Sequence, residues 1–202
     1  LKQPDASVRT LQKAASQVKG DWQVLALLGS ALMETGDLEK GVELLEEATR
    51  LNPDTAAIHT QLAIGHLASG ALDSAVAELE SAIELDPKLV RADILLILTH
   101  LKTSNFDTAI EAAKRFAEKN PENSLSYNLL GAGYIGNKNY EEARKQFEKA
   151  LSLKPDFTPA ISNLARLDIL NKDTEAAEKK FNEILGIDKN NSRALSNLAF
   201  IE

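Results

Sequence analysis

The sequence contains no cysteine, which removes disulfide frameworks, thiolate zinc sites, cysteine nucleophiles and thioether lipid anchors on these residues. Positive charge is scarce: 23 Lys and Arg stand against 30 Asp and Glu, a formal net charge of -7. That balance is wrong for a phosphate-backbone partner, whose binding depends on clustered cations that release counterions, so nucleic acid is not an expected partner. Long apolar runs are missing too. The longest unbroken run of Ile, Leu and Val, Ile94 to Leu98, falls far short of the roughly 20 apolar residues a membrane-spanning helix requires. The first residue is Leu1, and no charged start followed by an apolar stretch precedes the rest; the expectation is an excerpt of a longer protein. Gly-rich phosphate loops, Gly-x-Ser-x-Gly elbows and His-Glu-x-x-His helices are absent, so neither an enzymatic activity nor a cofactor is expected.

What the chain does have is length, 202 residues with 44% hydrophobic content, enough to bury a core without metals or disulfides, and a period. Pro53, Pro87, Pro121 and Pro155 recur every 34 residues, and Lys189 takes the next proline position. Asp86-Pro87, Asn120-Pro121 and Lys154-Pro155 each follow an amphipathic stretch, reading as helix stops because proline cannot continue the hydrogen-bond ladder. Counting from that punctuation, repeats start at Trp22, Ala56, Val90, Ser124 and Thr158, with a further start at Ser192. This predicts one array over 1–202: a second helix of a preceding repeat in 1–21, five whole repeats at 22–55, 56–89, 90–123, 124–157 and 158–191, and a first helix in 192–202.

Within a repeat the apolar residues follow helical spacing twice, as in Tyr127, Leu130, Tyr134 and then Ala143, Phe147, Ala150, with Gly136-Asn137 between. Each repeat is therefore a pair of helices. Small residues such as Ala75, Ala82, Ala143 and Ala150 permit close helix approach, while Leu79 and Phe147 fill the space between pairs. The third whole repeat exchanges large for small, with Ile97 at a usual Gly or Ala position, Ala113 at a large one and Phe116 at an Ala one. Such volume-conserving swaps preserve a core, and altered local curvature is expected there.

The fourth whole repeat carries Tyr127, Leu130, Gly131, Tyr134, Ala143, Phe147, Ala150 and Pro155; the first carries Leu25, Leu28, Gly29, Leu32, Gly41, Leu45, Ala48 and Pro53. In this pattern the chain resembles the tetratricopeptide repeat family. The resemblance implies an all-α, right-handed superhelical solenoid of antiparallel helix pairs. It also implies a protein-interaction scaffold whose first helices line a concave inner face.

Carried over by position, and using 3.6 residues per turn, that face is expected to hold an apolar ladder of Met33, Leu67, Leu101, Ile135 and Ile169. Beside it lie Ile64, Leu98, Ala132 and Arg166 in one slot, and Thr60, Ile94, Asn128 and Ser162 in another, with Arg193 further on. The expected occupant is an apolar or amphipathic peptide or partner helix. Packing of the ladder against neighbouring first helices is the competing reading. A subclass of the family grips C-terminal carboxylates with lysines, asparagines and an arginine; Asn128, Asn163, Arg193 and Asn197 lie in related slots, but the first lysine position holds Ala26, Thr60, Ile94, Asn128 or Ser162.

The three histidines, His59, His66 and His100, lack the further ligands that tetrahedral zinc wants, and no metal site is expected. Asp168 takes the slot of Tyr134 and is expected to be partly buried, satisfied by Tyr134 or a backbone amide. Leu195, Leu198 and Phe200 fall at core spacing on the last helix, which makes end-to-end self-association an alternative function; a regulatory helical domain of a larger enzyme is another. Residues 123–198, through Asn-Leu-Leu-Gly at 128 to 131, Phe157-Thr158-Pro159-Ala160 and Asn-Leu-Ala-Arg-Leu-Asp at 163 to 168, resemble the tetratricopeptide lipoproteins that accompany bacterial PEP-CTERM/exosortase systems. That resemblance implies a bacterial envelope or periplasmic location and a part in exopolysaccharide-linked protein sorting.

Overall fold

A computed structural model describes residues 3–201; residues 1, 2 and 202, at the outer edges of the expected segments 1–21 and 192–202, lie outside the described residues. Those residues form twelve helices and no strand: α1 (Gln3–Gln17), α2 (Trp22–Thr35), α3 (Leu38–Leu51), α4 (Ala56–Ser69), α5 (Leu72–Leu85), α6 (Val90–Lys102), α7 (Phe106–Lys119), α8 (Ser124–Gly136), α9 (Tyr140–Leu153), α10 (Thr158–Leu170), α11 (Thr174–Ile187) and α12 (Ser192–Ile201). First helices of the repeats are the even-numbered ones. They begin at Trp22, Ala56, Val90, Ser124, Thr158 and Ser192. The chain divides into two compact halves, 1–99 and 100–202, with the division inside α6.

Local chemistry sets the helix ends. Asp21 accepts from the backbone N–H of Gln23 and Val24, Asn123 from Leu125, Asn139 from Glu142, Asp173 from Ala176 and Asn191 from Ala194. Each satisfies an N–H that the helix itself leaves without a partner. The turn inside every whole repeat needs one residue in the left-handed region, supplied by Gly36 (φ 96°) and Gly70 (φ 82°) in the first two repeats and by Ser104 (60°), Lys138 (59°) and Lys172 (63°) in the other three. Glycine adopts that conformation freely and the other residues do not.

In the N-terminal half the core forms around Leu45, Ala48, Ile58 and Leu62, with Trp22, Leu25 and Val42 packed against it. Gly29 and Gly41 let α2 and α3 touch backbone to backbone, since a Cβ on either would lie 2.8 Å from the other's carbonyl oxygen. The C-terminal half holds two adjoining clusters. One joins Ala143, Phe147 and Ala150 of α9 to Ala160, Leu164 and Leu167 of α10; the other joins Ile161 and Ala165 of α10 to Ala177, Phe181 and Ile184 of α11 and Ala194 of α12. Burying such side chains contributes about 1.5–3 kcal/mol each for the large ones. The exchanged residues of the third repeat, Ile97, Ala113 and Phe116, are all fully buried, so the large and small positions swap without exposing either.

Candidate functional site

Within each half the first helices pack on second helices: α2 on α1 and α3, α4 on α3 and α5, α8 on α7 and α9, and α10 on α9 and α11. In the N-terminal half, Met33, Ile64, Leu67 and Ile94 are half-buried while Leu98 is 46% exposed. In the C-terminal half, Leu101, Ile135 and Ile169 are half-buried, Asn128 and Ser162 are buried, and Arg166 and Arg193 are exposed. The ladder residues do packing work. Met33 lies between α3 and α4, where a Cβ added to Gly41 would fall 2.5 Å from its Cγ and one added to Gly65 would fall 3.3 Å from its Sδ. Ile135 and Ile169 pack on the two C-terminal core clusters.

The exposed line of the C-terminal half runs through two other slots. Counted from each repeat start, the second and ninth residues of the first helices are Leu125 and Ala132 on α8, Pro159 and Arg166 on α10, and Arg193 and Phe200 on α12. Seven residues bring the helix almost to the same azimuth, about 10 Å further along. On α10 and α12 all four are exposed, whereas Leu125 and Ala132 are half-buried. Phe200, expected beside Leu195 and Leu198 on the packing stripe, instead occupies the slot of Leu98, Ala132 and Arg166 and is 81% exposed. The correction follows from register: its azimuth matches Arg193, not Leu198.

Two depressions flank this line. Ser162 and Arg193 come together in a cavity of about 340 Å³ with Thr158, Asp188, Asn190 and Asn191. Asp188 there is turned into its own loop, accepting from the Asn190 N–H at 3.1 Å. Arg166 and Ile169 come together in a second cavity of about 230 Å³ with Leu170, Asn197 and Phe200. Leu170 and Phe200 are the residues that sequence spacing did not assign to this face; the second-and-ninth register was the signal available for Phe200, whereas Leu170, at the end of α10, falls outside it.

Polar groups elsewhere are engaged internally. Asn163 Nδ2 donates to Asn128 Oδ1 at 3.0 Å, linking α10 to α8, so this pair of amides spends its polarity on repeat stacking. His59 is clipped between Glu78 Oε2 at 2.6 Å on Nδ1 and the Pro53 carbonyl at 2.7 Å on Nε2. Asp168 is 4% exposed, and its partners are cations, not Tyr134 or an amide. Arg144 Nη2 donates to Oδ1 at 2.7 Å, and Lys180 Nζ stands 2.7 Å from Oδ2. The lysine contact is an ion pair by distance whose alignment falls outside hydrogen-bond geometry, leaving Oδ2 without a directed donor. Glu39, Glu43 and Glu46 lie exposed and Glu47 half-buried. Among the described residues no three His, Asp or Glu side chains gather as metal ligands, and no helix is long and apolar enough to cross a membrane.

Solved structures share this architecture. Residues 41 to the end of MamA from Desulfovibrio magneticus RS-1 superpose with a TM-score of 0.73 at 19% identity, covering 87% of this chain and 99% of that one. A crystal structure of MamA gives 0.70 at 25% identity, covering 75% and 89%. YrrB, described as a TPR protein with an unusual peptide-binding site, gives 0.69 at 17% identity, covering 94% and 98%. No curated protein matches the sequence. Family models described as tetratricopeptide repeat match residues 26–90 and 94–157 and residues 134–200. With most of the sequence matched repeat after repeat, the chain belongs to the tetratricopeptide repeat family.

Proposed function

We propose that this chain is a non-catalytic protein-interaction scaffold that holds a peptide or partner helix against the inner faces of its first helices. The observation that carries the reading is the exposure of Arg166, Arg193 and Phe200 in a shared register on α10 and α12. Leu98 offers a comparable apolar position in the N-terminal half. The proposed contact residues are Met33, Ile64, Leu67, Ile94 and Leu98 within the N-terminal half, and Leu101, Asn128, Ile135, Ser162, Arg166, Ile169 and Arg193 within the C-terminal half; the exposed members make direct contact, and the half-buried and buried ones lie beneath them. Photoreactive side chains placed singly at 98 and 166, and at the outer-face positions 46 and 118, test this in native extract. A partner cross-linked from the inner positions alone is expected; equal cross-linking from the outer positions refutes the site.

A second reading, end-to-end self-association, draws on α12. Leu195 is 48% exposed and Ala199 is exposed, whereas the same slots of α10, Ile161 and Ala165, are buried. Sedimentation of the chain beside a Leu195→Asp variant separates the two: concentration-dependent association lost in the variant supports assembly. For setting, the likeness of residues 123–198 to the lipoproteins of PEP-CTERM/exosortase systems supports a place in the bacterial envelope, checked by fractionating the source cells.

A further inference from the structure

The cavity between α10 and α12 has a chemistry of its own. Its floor is Ile169, its rims are Leu170, 56% exposed, and Phe200, 81% exposed, and its edge is Arg166. Large apolar side chains left this open normally mark a contact surface when they are contiguous. Phe200 stands in the ninth-residue slot of its helix, where Leu98 and Arg166 are exposed and Ile64 and Ala132 half-buried. Arg166 makes no ion pair or side-chain hydrogen bond among the described residues, in a chain whose acidic groups outnumber its basic ones. Arg193, one heptad before Phe200 on the same face of α12, is also without a carboxylate partner among them. Two cations beside an apolar hollow form a mixed recognition surface that neither a purely greasy helix nor a polar tail would satisfy.

Resting on the scaffold reading, we infer that this hollow recognises a partner-protein segment that inserts one large apolar side chain between Ile169, Leu170 and Phe200 and places an adjacent carboxylate on Arg166. A second acidic residue reaching Arg193, about 10 Å along α12, strengthens the contact. Arginine presents a planar fork of donors suited to a carboxylate, while the apolar side chain supplies burial that the charge pair alone lacks in water. The hollow is small, about 230 Å³, and the neighbouring acidic group adds specificity to the apolar contact.

The test is selection of a displayed random heptapeptide library on the intact chain, followed by affinity measurements of one enriched peptide on variants. Enriched sequences are expected to pair Asp or Glu with Leu, Ile, Met or Phe. Arg166→Gln should weaken the acidic peptide about tenfold, the scale of a charge-assisted hydrogen bond, with Arg166→Lys recovering part of it and Arg115→Gln on α7 changing nothing. The same peptide with its carboxylate replaced by an amide should bind the parent chain and Arg166→Gln alike. Phe200→Ala should weaken both peptides; at its exposure the change leaves the fold intact, which circular dichroism verifies. Enrichment of basic or uncharged sequences, or equal affinity for Arg166→Gln, overturns this inference and leaves the scaffold reading standing. An absence of any enriched sequence also overturns it, and the scaffold reading then rests on the cross-linking experiment.

Discussion

Arg144 of α9 donates to the buried Asp168 of α10 at 2.7 Å, tying the second helix of one repeat to the first helix of the next. Lys180 of α11 approaches the other carboxylate oxygen. The carboxylate is buried while both cations keep about a quarter to a third of their surface in water, so removing the anion leaves two cations that can rehydrate only in part. Breaking a fully buried pair costs about 3–5 kcal/mol; with the cations partly in solvent, Asp168→Asn is expected to cost about 2 kcal/mol, discounted for that exposure. Urea unfolding of Asp168→Asn, Arg144→Met and the double variant measures it. Coupling near zero between the two sites would mean that the pair contributes nothing beyond its parts.

The inner turns give a second prediction. Gly36 and Gly70 have nothing within 4 Å of where a Cβ would stand, so replacing them by Ala tests backbone conformation alone. Each replacement is expected to cost about 1 kcal/mol, the penalty of a left-handed L-residue. Lys138→Gly and Lys172→Gly relieve the same strain, offset in part by the greater entropy of glycine in the unfolded chain, and should be neutral to stabilising by about 0.5 kcal/mol. Thermal or urea midpoints decide. A loss of stability in both lysine variants would show that those turns are held by their side chains.

The period was legible because it is written in residues with single roles: the prolines stop second helices, and Leu28, Leu62, Leu96, Leu130 and Leu164 recur at one slot and are all buried. What lay on the open faces of the first helices was less legible. An array predicts which helical face packs, but a first helix touches neighbours over a wide arc, so the ladder from Met33 to Ile169 falls in the half-buried margin and the open line shifts to Arg166, Arg193 and Phe200. The partners of Asp168 were hidden for another reason. Arg144 and Lys180 are long side chains on separate helices, and spacing alone does not show which of their rotamers reach inward.

Gly131 and Phe147 make a third case. A Cβ on Gly131 would meet three ring carbons of Phe147 at 2.5–2.8 Å, and that ring is fully buried. Overpacking of this kind costs about 1–3 kcal/mol, and Gly131→Ala is expected within that range. Phe147→Leu in the same background should recover part of the loss, because the second repeat carries Ala63 with Leu79 at the same two positions. A double-mutant cycle on urea midpoints reads the coupling directly. Additive losses would mean that the ring yields elsewhere and that the pair does not set the spacing of α8 and α9.

Asn128 and Ser162 belong to the inner face by slot yet are buried, and this separates stability from recognition. Asn128 accepts from Asn163 at 3.0 Å between α8 and α10. Its loss leaves a half-buried amide that water reaches, so Asn128→Ala is expected to cost about 1 kcal/mol, near the net worth of one hydrogen bond. Because Asn128 is buried and Asn163 lies off the exposed line, affinity for a bound segment should stay within about twofold once folding is complete, a change under about 0.5 kcal/mol. Arg166→Gln should behave in the opposite sense, leaving the unfolding midpoint in place and weakening binding. Measuring both quantities on both variants settles which residues of the face meet the partner. If Asn128→Ala abolished binding at unchanged stability, the contact surface would have to extend below the exposed line, and the amide pair would open on binding.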